Sequence, residues 1–397
     1  MSAPHQRYLG MLTAIFGMTL LPILVLNLIL VSRSLDSDNN TRLASEWQQS
    51  TQGVVNTPGV LDNSRFKSMR LRDRLPEIDT VVFGASTTFA IDQSMFPAPL
   101  KIYNFSKNGT DLSAAIGEAE YLLEHAGHIR WLVIPLDWSV GFIYQDSAPP
   151  SVDLSADPPP NSAGHASWLQ RTRDALSYPR IAGLFKLLRN ILVAEHKMAA
   201  FRQIFLQQSS DEYLCPDGTR AKDFDIQGRG HCRGFRADGS WTYNGMDRVG
   251  DARRLIMLAT ASSSKYPQNL LSTGGIPNPF YLERLAALAH QAEKRGGTAI
   301  FLLPPLLGGM EAEFLRHPRW SAYLAKTRQA LSDWAIKENL VLLDAGQSEK
   351  FGCTADEFTD EHHATQSCYR KIFSAFWQNG AGSNVIPGQT SRKATHN

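Results

Sequence analysis

Runs of consecutive apolar residues alternate along the chain with stretches in which apolar positions recur every three to four residues. The first run is the longest: Met11 to Val31 (MLTAIFGMTLLPILVLNLILV) carries no charge. At about 1.5 Å rise per residue, a helix over it covers roughly 30 Å, the hydrocarbon thickness of a bilayer. The run predicts an uncleaved transmembrane anchor. A cleaved signal peptide, whose apolar core is only about 7–15 residues, and a buried soluble helix are the competing readings. Residues 34–76 are polar and rich in Gln, Asn and Ser (EWQQSTQGVVNT), which reads as a stalk.

From Asp79 the texture changes. Five short runs, DTVVFGAS (79–86), KIYNFS (101–106), RWLVIPL (130–136), TAIFLLP (298–304) and LVLLDAG (340–346), predict buried strands. Helical spacing lies between them. Asp111 offers an N-cap before Leu112, Ala115, Ile116, Ala119, Leu122 and Leu123, and further helices are expected over Tyr281–Lys294 and Trp320–Lys337. This alternation predicts an α/β fold, a central parallel sheet covered by helices on both faces. The order is interrupted by a Pro/Ser-rich loop (DLSADPPPNSAGH), a helical-looking stretch over 167–208, and a Gly-, Asp- and aromatic-rich stretch over 211–243 that suggests short hairpins. The expected organisation is a cytoplasmic stub and anchor (1–33), a stalk (34–76), a folded domain (77–379) with a large insertion at about 151–270, and a disordered polar tail (380–397).

Charge and cysteine narrow the setting. Forty Lys+Arg against 38 Asp+Glu leave a net charge of +2, without the strongly basic footprint of a nucleic-acid binder. A mean hydropathy of −0.24 excludes a polytopic membrane protein. Arg7 and Arg33 flank the apolar run, so positive charge hardly decides its orientation. The four cysteines fall into two local pairs, Cys215 with Cys232 and Cys353 with Cys368. An even count in short loops suits two disulfides in an oxidising compartment, and the spacings match no CxxC-type zinc pattern. Free buried thiols are the other reading. With disulfides, the body lies outside the cytoplasm: a single-pass inner-membrane protein with its domain in the periplasm.

Three loops carry reactive groups beyond predicted strand ends, where ligands gather in open parallel sheets. They are Gly84-Ala85-Ser86, Asn108-Gly109-Thr110 and Asp360-Glu361-His362-His363. A serine is a weak nucleophile until a base takes its proton, and a histidine oriented by a carboxylate supplies one. The segments FGASTTFAID, YNFSKNGTDL and TDEHHATQSCYRK together resemble the SGNH (GDSL-like) esterases and acyltransferases. The likeness is to membrane-anchored members that modify envelope polysaccharides, such as those of alginate O-acetylation and teichoic-acid D-alanylation. It covers residues 79–136 and 298–378 and leaves 137–297 largely outside.

The resemblance implies a flavodoxin-like three-layer sandwich and a serine-dependent acyl-transfer enzyme with no cofactor or metal. Ser86 matches the nucleophile, and the backbone N–H groups of Ser86 and Gly109 match oxyanion donors. Asp360 and His363 match the DxxH pair, with Cys368 at the glycine and Tyr369 at the tyrosine of the ending DxxHxxxxGY. Some alginate-type relatives use DxH, which selects His362 instead. The family's GxND block has no counterpart here, because RWLVIPL runs into Asp137-Trp138-Ser139. Asn108 or Asn104 would have to supply the missing donor. The implied substrate is a polysaccharide or acylated glycan, with a multi-span membrane protein as acyl donor. A catalytically weak or inactive glycan-binding or assembly protein is the second reading, and no pair of acids is spaced to suggest a glycosidase. Trp138, Trp241 and Tyr243 are candidates either for stacking on sugar rings or for packing.

Overall fold

The computed structural model describes residues 3–32, 37–56, 63–137, 212–224, 232–244, 246–261, 277–316 and 321–378, with Phe185, Arg189 and Leu192 as isolated helical positions. Most of the helix expected over 167–208, the loop at 153–165, Trp138 and the tail from 380 lie outside the described residues. The described strands are β1 (Val54–Asn56), β2 (Thr80–Val82), β3 (Ile102–Asn104), β4 (Trp131–Pro135), β5 (Glu212–Leu214), β6 (Arg220–Asp223), β7 (Gly234–Phe235), β8 (Trp241–Thr242), β9 (Thr298–Leu303) and β10 (Val341–Asp344). The chain divides into two compact units, Met1–Gly59 with Ala156–Gly230, and Val60–Ser155 with His231–Asn397.

The second unit is built on a parallel sheet in the order β10-β9-β4-β2-β3. These are the five strands expected from the apolar runs. Counted along the chain within this sheet the order is 2-1-3-4-5, so connections leave β2 toward opposite edges and open a crevice at its carboxyl end. Both faces of the sheet are dry. Val81, Leu132 and Phe301 point one way, Val82, Val133 and Leu302 the other, and none is accessible to solvent. Alternate side chains of a strand face opposite sides, so near-continuous apolar runs are what two covered faces require.

Helices Leu112–His125, Pro279–Lys294 and Ser321–Lys337 cover one face, and their Ile116, Leu123, Leu285, Leu288 and Leu331 share a core with Phe105, Ile134 and Phe301. The first begins where the sequence places its cap: the Asp111 carboxylate accepts the Ala114 N–H at 2.8 Å. The second is capped by Asn278, which accepts the Phe280 N–H at 3.0 Å, with Pro279 at the first helical position.

The stretch read as a stalk is structured. Ser37–Thr51 and Ser64–Arg74 are helices, and the folded unit takes in residues well before 77. The second of these buries Phe66, Lys67, Arg70 and Leu71. Its contacts are made as much by charged residues as by apolar ones, which erases the apolar stripe that would have marked it.

In the first unit β6 pairs parallel with β1 and antiparallel with β5. Trp47, from helix Ser37–Thr51, donates its indole N–H to Glu212 at 2.6 Å and sets its edge against Phe224. The N-terminal helix runs Ala3–Ser32, and Tyr8, Met11, Phe16, Met18 and Leu21 on it are exposed. Among the described residues no helix is long and apolar enough to cross a membrane. The described side chains of this helix end at Leu26, so positions 27–31 of the expected anchor lie outside them.

Asp111→Ala is expected to destabilise the second unit by about 1 kcal/mol, while Asp111→Asn changes it by only a few tenths. Equilibrium urea unfolding of the two variants checks this.

Candidate active site

The carboxyl end of β2 turns sharply at Gly84. Its φ of +122° is unfavourable for any residue with a Cβ, and a Cβ there would come within 2.2 Å of the Pro135 ring. Only glycine allows the strand to bend so close to β4. The chain then enters a single 3₁₀ turn, Ser86–Thr88, with Ser86 half-buried at its start.

Ser86 meets a residue 277 positions away. His363 Nε2 lies 2.7 Å from Ser86 Oγ, and His363 Nδ1 lies 2.6 Å from Asp360 Oδ2. Asp360 Oδ1 also accepts the backbone N–H groups of His362 (2.9 Å) and His363 (2.8 Å), fixing the carboxylate in the turn that presents the ring. Burial alone would raise the Asp360 pKa. The hydrogen bond from His363, the charges of both histidines and the backbone donor outweigh it and hold the carboxyl well below its usual range. Asp360 therefore stays ionised and its ring partner keeps a proton on Nδ1, which leaves the Nε2 lone pair facing the hydroxyl.

Local structure pins this histidine loop. Phe358 bridges Ala364, the Leu307 N–H donates to Glu361 O at 3.0 Å, and the Val249 N–H donates to Phe358 O at 3.0 Å. The Cys353–Cys368 disulfide joins the segment before the loop to the helix Gln366–Gln378 after it. Cys215 and Cys232 are also disulfide-bonded and no cysteine is free, so all four sit in two disulfides, as suits an oxidising compartment.

The remaining expected residues divide. His362 lies against His363, with ring centroids 4.2 Å apart and planes tilted by 42°, but its Nδ1 is 3.7 Å from Asp360 Oδ1, beyond hydrogen-bond reach. The geometry thus follows the DxxH register. The loop of Gly109 is tied to the Ser86 turn by the Lys107 N–H, which donates to Gly84 O at 2.8 Å. Gly109 has φ +70° and open space around it, and among the described residues neither its N–H nor that of Ser86 has a partner. The backbone N–H of Asn108 is engaged by Asn63 Oδ1 at 3.1 Å, leaving only its side chain as a donor toward a substrate.

Asn104 cannot fill the missing GxND place. Fully buried, it donates to the carbonyls of Thr88 (2.8 Å) and Ile91 (2.9 Å) and accepts the Ser106 N–H (3.0 Å). Asp137, at the GxND position, is half-buried, and its charge bears on His362 and Tyr369. Trp241 and Tyr243 are buried, so packing is their role and sugar stacking is not.

Several residues that brace the site were not singled out for this role in the sequence. Tyr369, wholly buried, donates its hydroxyl to Thr87 O at 2.7 Å, and Tyr243 reaches Ser86 O at 3.4 Å. Burial pushes both hydroxyls above the ordinary tyrosine pKa, so they remain donors. The β7–β8 hairpin, from the region expected as an insertion, lies alongside: the Trp241 N–H donates to Phe89 O at 2.7 Å and the Asn104 N–H donates to Asp238 O at 2.7 Å. Lys67, fully buried, donates to Asn104 O at 2.6 Å and to Gly239 O, with its ammonium over the Phe235 ring. Burial pulls its pKa well below the lysine norm. The one signal for these residues was the tyrosine of the DxxHxxxxGY ending; a hydrogen bond from a distant hairpin leaves no periodic mark.

Asn104→Ala takes from the Ile91 carbonyl and the Ser106 N–H the one partner each has among the described residues, each worth about 1–3 kcal/mol when left unpaired, while the Thr88 carbonyl keeps the Ile91 N–H. A loss of about 2–5 kcal/mol is expected in denaturant unfolding. An unchanged midpoint would show that this side chain does not hold the nucleophile turn.

Scanned against protein-family models, curated proteins and solved structures, the chain matches none.

Proposed function

We propose that the second unit is a flavodoxin-like SGNH domain that performs serine-dependent acyl transfer on ester substrates. The observation that carries this reading is the continuous line Ser86 Oγ to His363 Nε2 (2.7 Å) and His363 Nδ1 to Asp360 Oδ2 (2.6 Å). Ser86 Oγ attacks the acyl carbonyl while His363 Nε2 takes its proton. The tetrahedral oxyanion forms next to the N–H groups of Ser86 and Gly109. Collapse expels the alcohol, which recovers the proton from His363, and leaves an acyl-serine. Water then completes hydrolysis, or a sugar hydroxyl completes transfer, with His363 as base again. Asp360 holds the tautomer and stabilises the transient imidazolium.

Two features of the rest of the chain support a setting for this chemistry. The uncharged run Met11–Val31 falls within the helix Ala3–Ser32, on which Met11, Leu12, Ile15, Phe16, Met18 and Leu21 are exposed, as suits a lipid environment. An anchor over this run is part of the proposal, and two disulfides support a domain on the periplasmic side of the inner membrane, near envelope or extracellular polysaccharide. O-acetylation or deacetylation of such a glycan is the proposed reaction, and a multi-span membrane protein is the proposed acyl donor if the reaction is transfer.

One observation favours the second reading, a weak or inactive glycan-binding protein. A carboxylate, Asp137, stands where the family places a donor asparagine, and Asn104 is fully engaged elsewhere. Loss of one oxyanion donor slows acyl transfer by about 10²–10³.

The full-length protein in detergent is expected to release p-nitrophenol from p-nitrophenyl acetate, and acetate from acetylated glycans. Ser86→Ala and His363→Ala should each lower the rate by about 10³ or more, and His362→Ala by less than about tenfold. Equal rates for wild type and Ser86→Ala would remove the enzymatic reading in favour of the binding protein.

A further inference from the structure

We propose that Asp360, His362 and His363 bind a divalent transition-metal ion of the Zn²⁺ type, and that the bound ion switches off Ser86. The binding stands on the geometry of the three side chains; the effect on Ser86 rests on the acyl-transfer reading above.

The turn at 360–363 brings the ligands together. Because Asp360 Oδ1 accepts the N–H groups of both following histidines, the two imidazoles leave the turn on the same side, with ring centroids 4.2 Å apart. One donor atom from each of Asp360, His362 and His363 can be chosen so that all lie within 4.8 Å of one another. His363 Nδ1 is 2.6 Å from Asp360 Oδ2, and His362 Nδ1 is 3.7 Å from Asp360 Oδ1. A tetrahedral zinc with bonds near 2.0–2.1 Å holds its ligand atoms about 3.3–3.5 Å apart, so side-chain shifts on the order of an ångström suffice. Two imidazoles and a carboxylate favour zinc-like ions over calcium or magnesium.

Charge and access agree with the geometry. The carboxylates of Glu361, Asp360 and Asp137 all bear on His362, giving the site an excess of negative charge that favours a cation. Glu361 Oε1 lies 3.7 Å from the same Nδ1, within reach of a metal-bound water. All three ligand side chains are partly open to solvent, which gives an ion a way in and leaves a fourth position for water.

Coordination and catalysis exclude each other. His363 Nδ1 cannot donate its proton to Asp360 and offer a lone pair to a metal at once. When the ion takes Nδ1, the neutral ring keeps its one proton by moving it to Nε2. A protonated Nε2 cannot accept the hydroxyl proton of Ser86. The ion thus inhibits by locking the wrong tautomer, with no change in the charge of the ring.

Isothermal titration of the full-length protein with Zn²⁺, paired with fluorophosphonate labelling of Ser86, tests the proposal. One ion per chain is expected, with affinity weakened more than about tenfold in His362→Gln and in Asp360→Asn. Stoichiometric Zn²⁺ should slow wild-type labelling more than about tenfold, EDTA should restore it, and the metal effect should shrink below about twofold in His362→Gln. Circular dichroism of both variants guards against misfolding. Absence of saturable binding at about 10 µM metal, equal affinity in wild type and both variants, or labelling that ignores bound zinc would each overturn the proposal. Saturable binding lost in His362→Gln, with no labelling of Ser86 at any zinc concentration, would keep the metal site and remove the acyl-transfer reading instead.

Discussion

The carbonyls between Phe83 and Ile91 are the constraint on which the site depends. Gly84 bends the chain against Pro135, which turns this short segment out of the sheet and takes its peptide groups away from ladder partners. Local 3₁₀ bonds serve the carbonyls of Ala85, Ser86 and Thr88, and the remaining buried carbonyls and spare lone pairs find donors elsewhere. Asn104 supplies Thr88 and Ile91, Tyr369 supplies Thr87, Tyr243 approaches Ser86, and the Trp241 backbone supplies Phe89. These donors come from β3, the C-terminal helix and the β7–β8 hairpin. The position of one hydroxyl is thereby written into three separate parts of the chain, and in the proposed reaction a nucleophile fixed this way would meet its base without reorganising.

The same economy holds on the other side of the contact. Asp360 uses one oxygen to close its own turn and the other to hold the His363 ring. A single carboxylate sets both the backbone of the turn and the ring tautomer, and contacts from outside residues 360–363 hold that turn in place. The pairing that makes the turn compact also brings His362 against His363. A second imidazole so near the first, beside the carboxylates of Asp360, Glu361 and Asp137, is the feature on which the proposed metal competition rests.

The strands and the principal helices were legible because burial on both faces demands near-continuous apolar runs, and because Asp111 caps where a capping residue is needed. The triad was legible as three motifs in order, although spacing alone left His362 and His363 undecided; only the turn closed by Asp360 separates them. Other parts were illegible for definite reasons. Helix Ser64–Arg74 buries Lys67 and Arg70 beside Phe66, so its inward face reads as polar. Helix Gln366–Gln378 overlaps the histidine motif TDEHHATQSCYRK, and its buried face of Cys368, Tyr369, Ile372, Phe373 and Phe376 begins inside that motif. Trp241 and Tyr243 look like surface aromatics in a Gly-rich stretch, yet they fill space under the nucleophile turn. Asp137 remains the residue where the resemblance and this chain part, and in the proposed reaction its negative charge would increase the demand on the Ser86 and Gly109 donors.

The central claim is that His363 donates its Nδ1 proton to Asp360 while its Nε2 faces Ser86. Proton NMR of the full-length protein carrying ¹⁵N-labelled histidine reads that proton directly. A far-downfield imidazole resonance assigned to His363 Nδ1, abolished by Asp360→Asn and retained in His362→Gln, is the expected result. A downfield resonance belonging to His362, or none at any pH at which the protein is folded, would contradict the account.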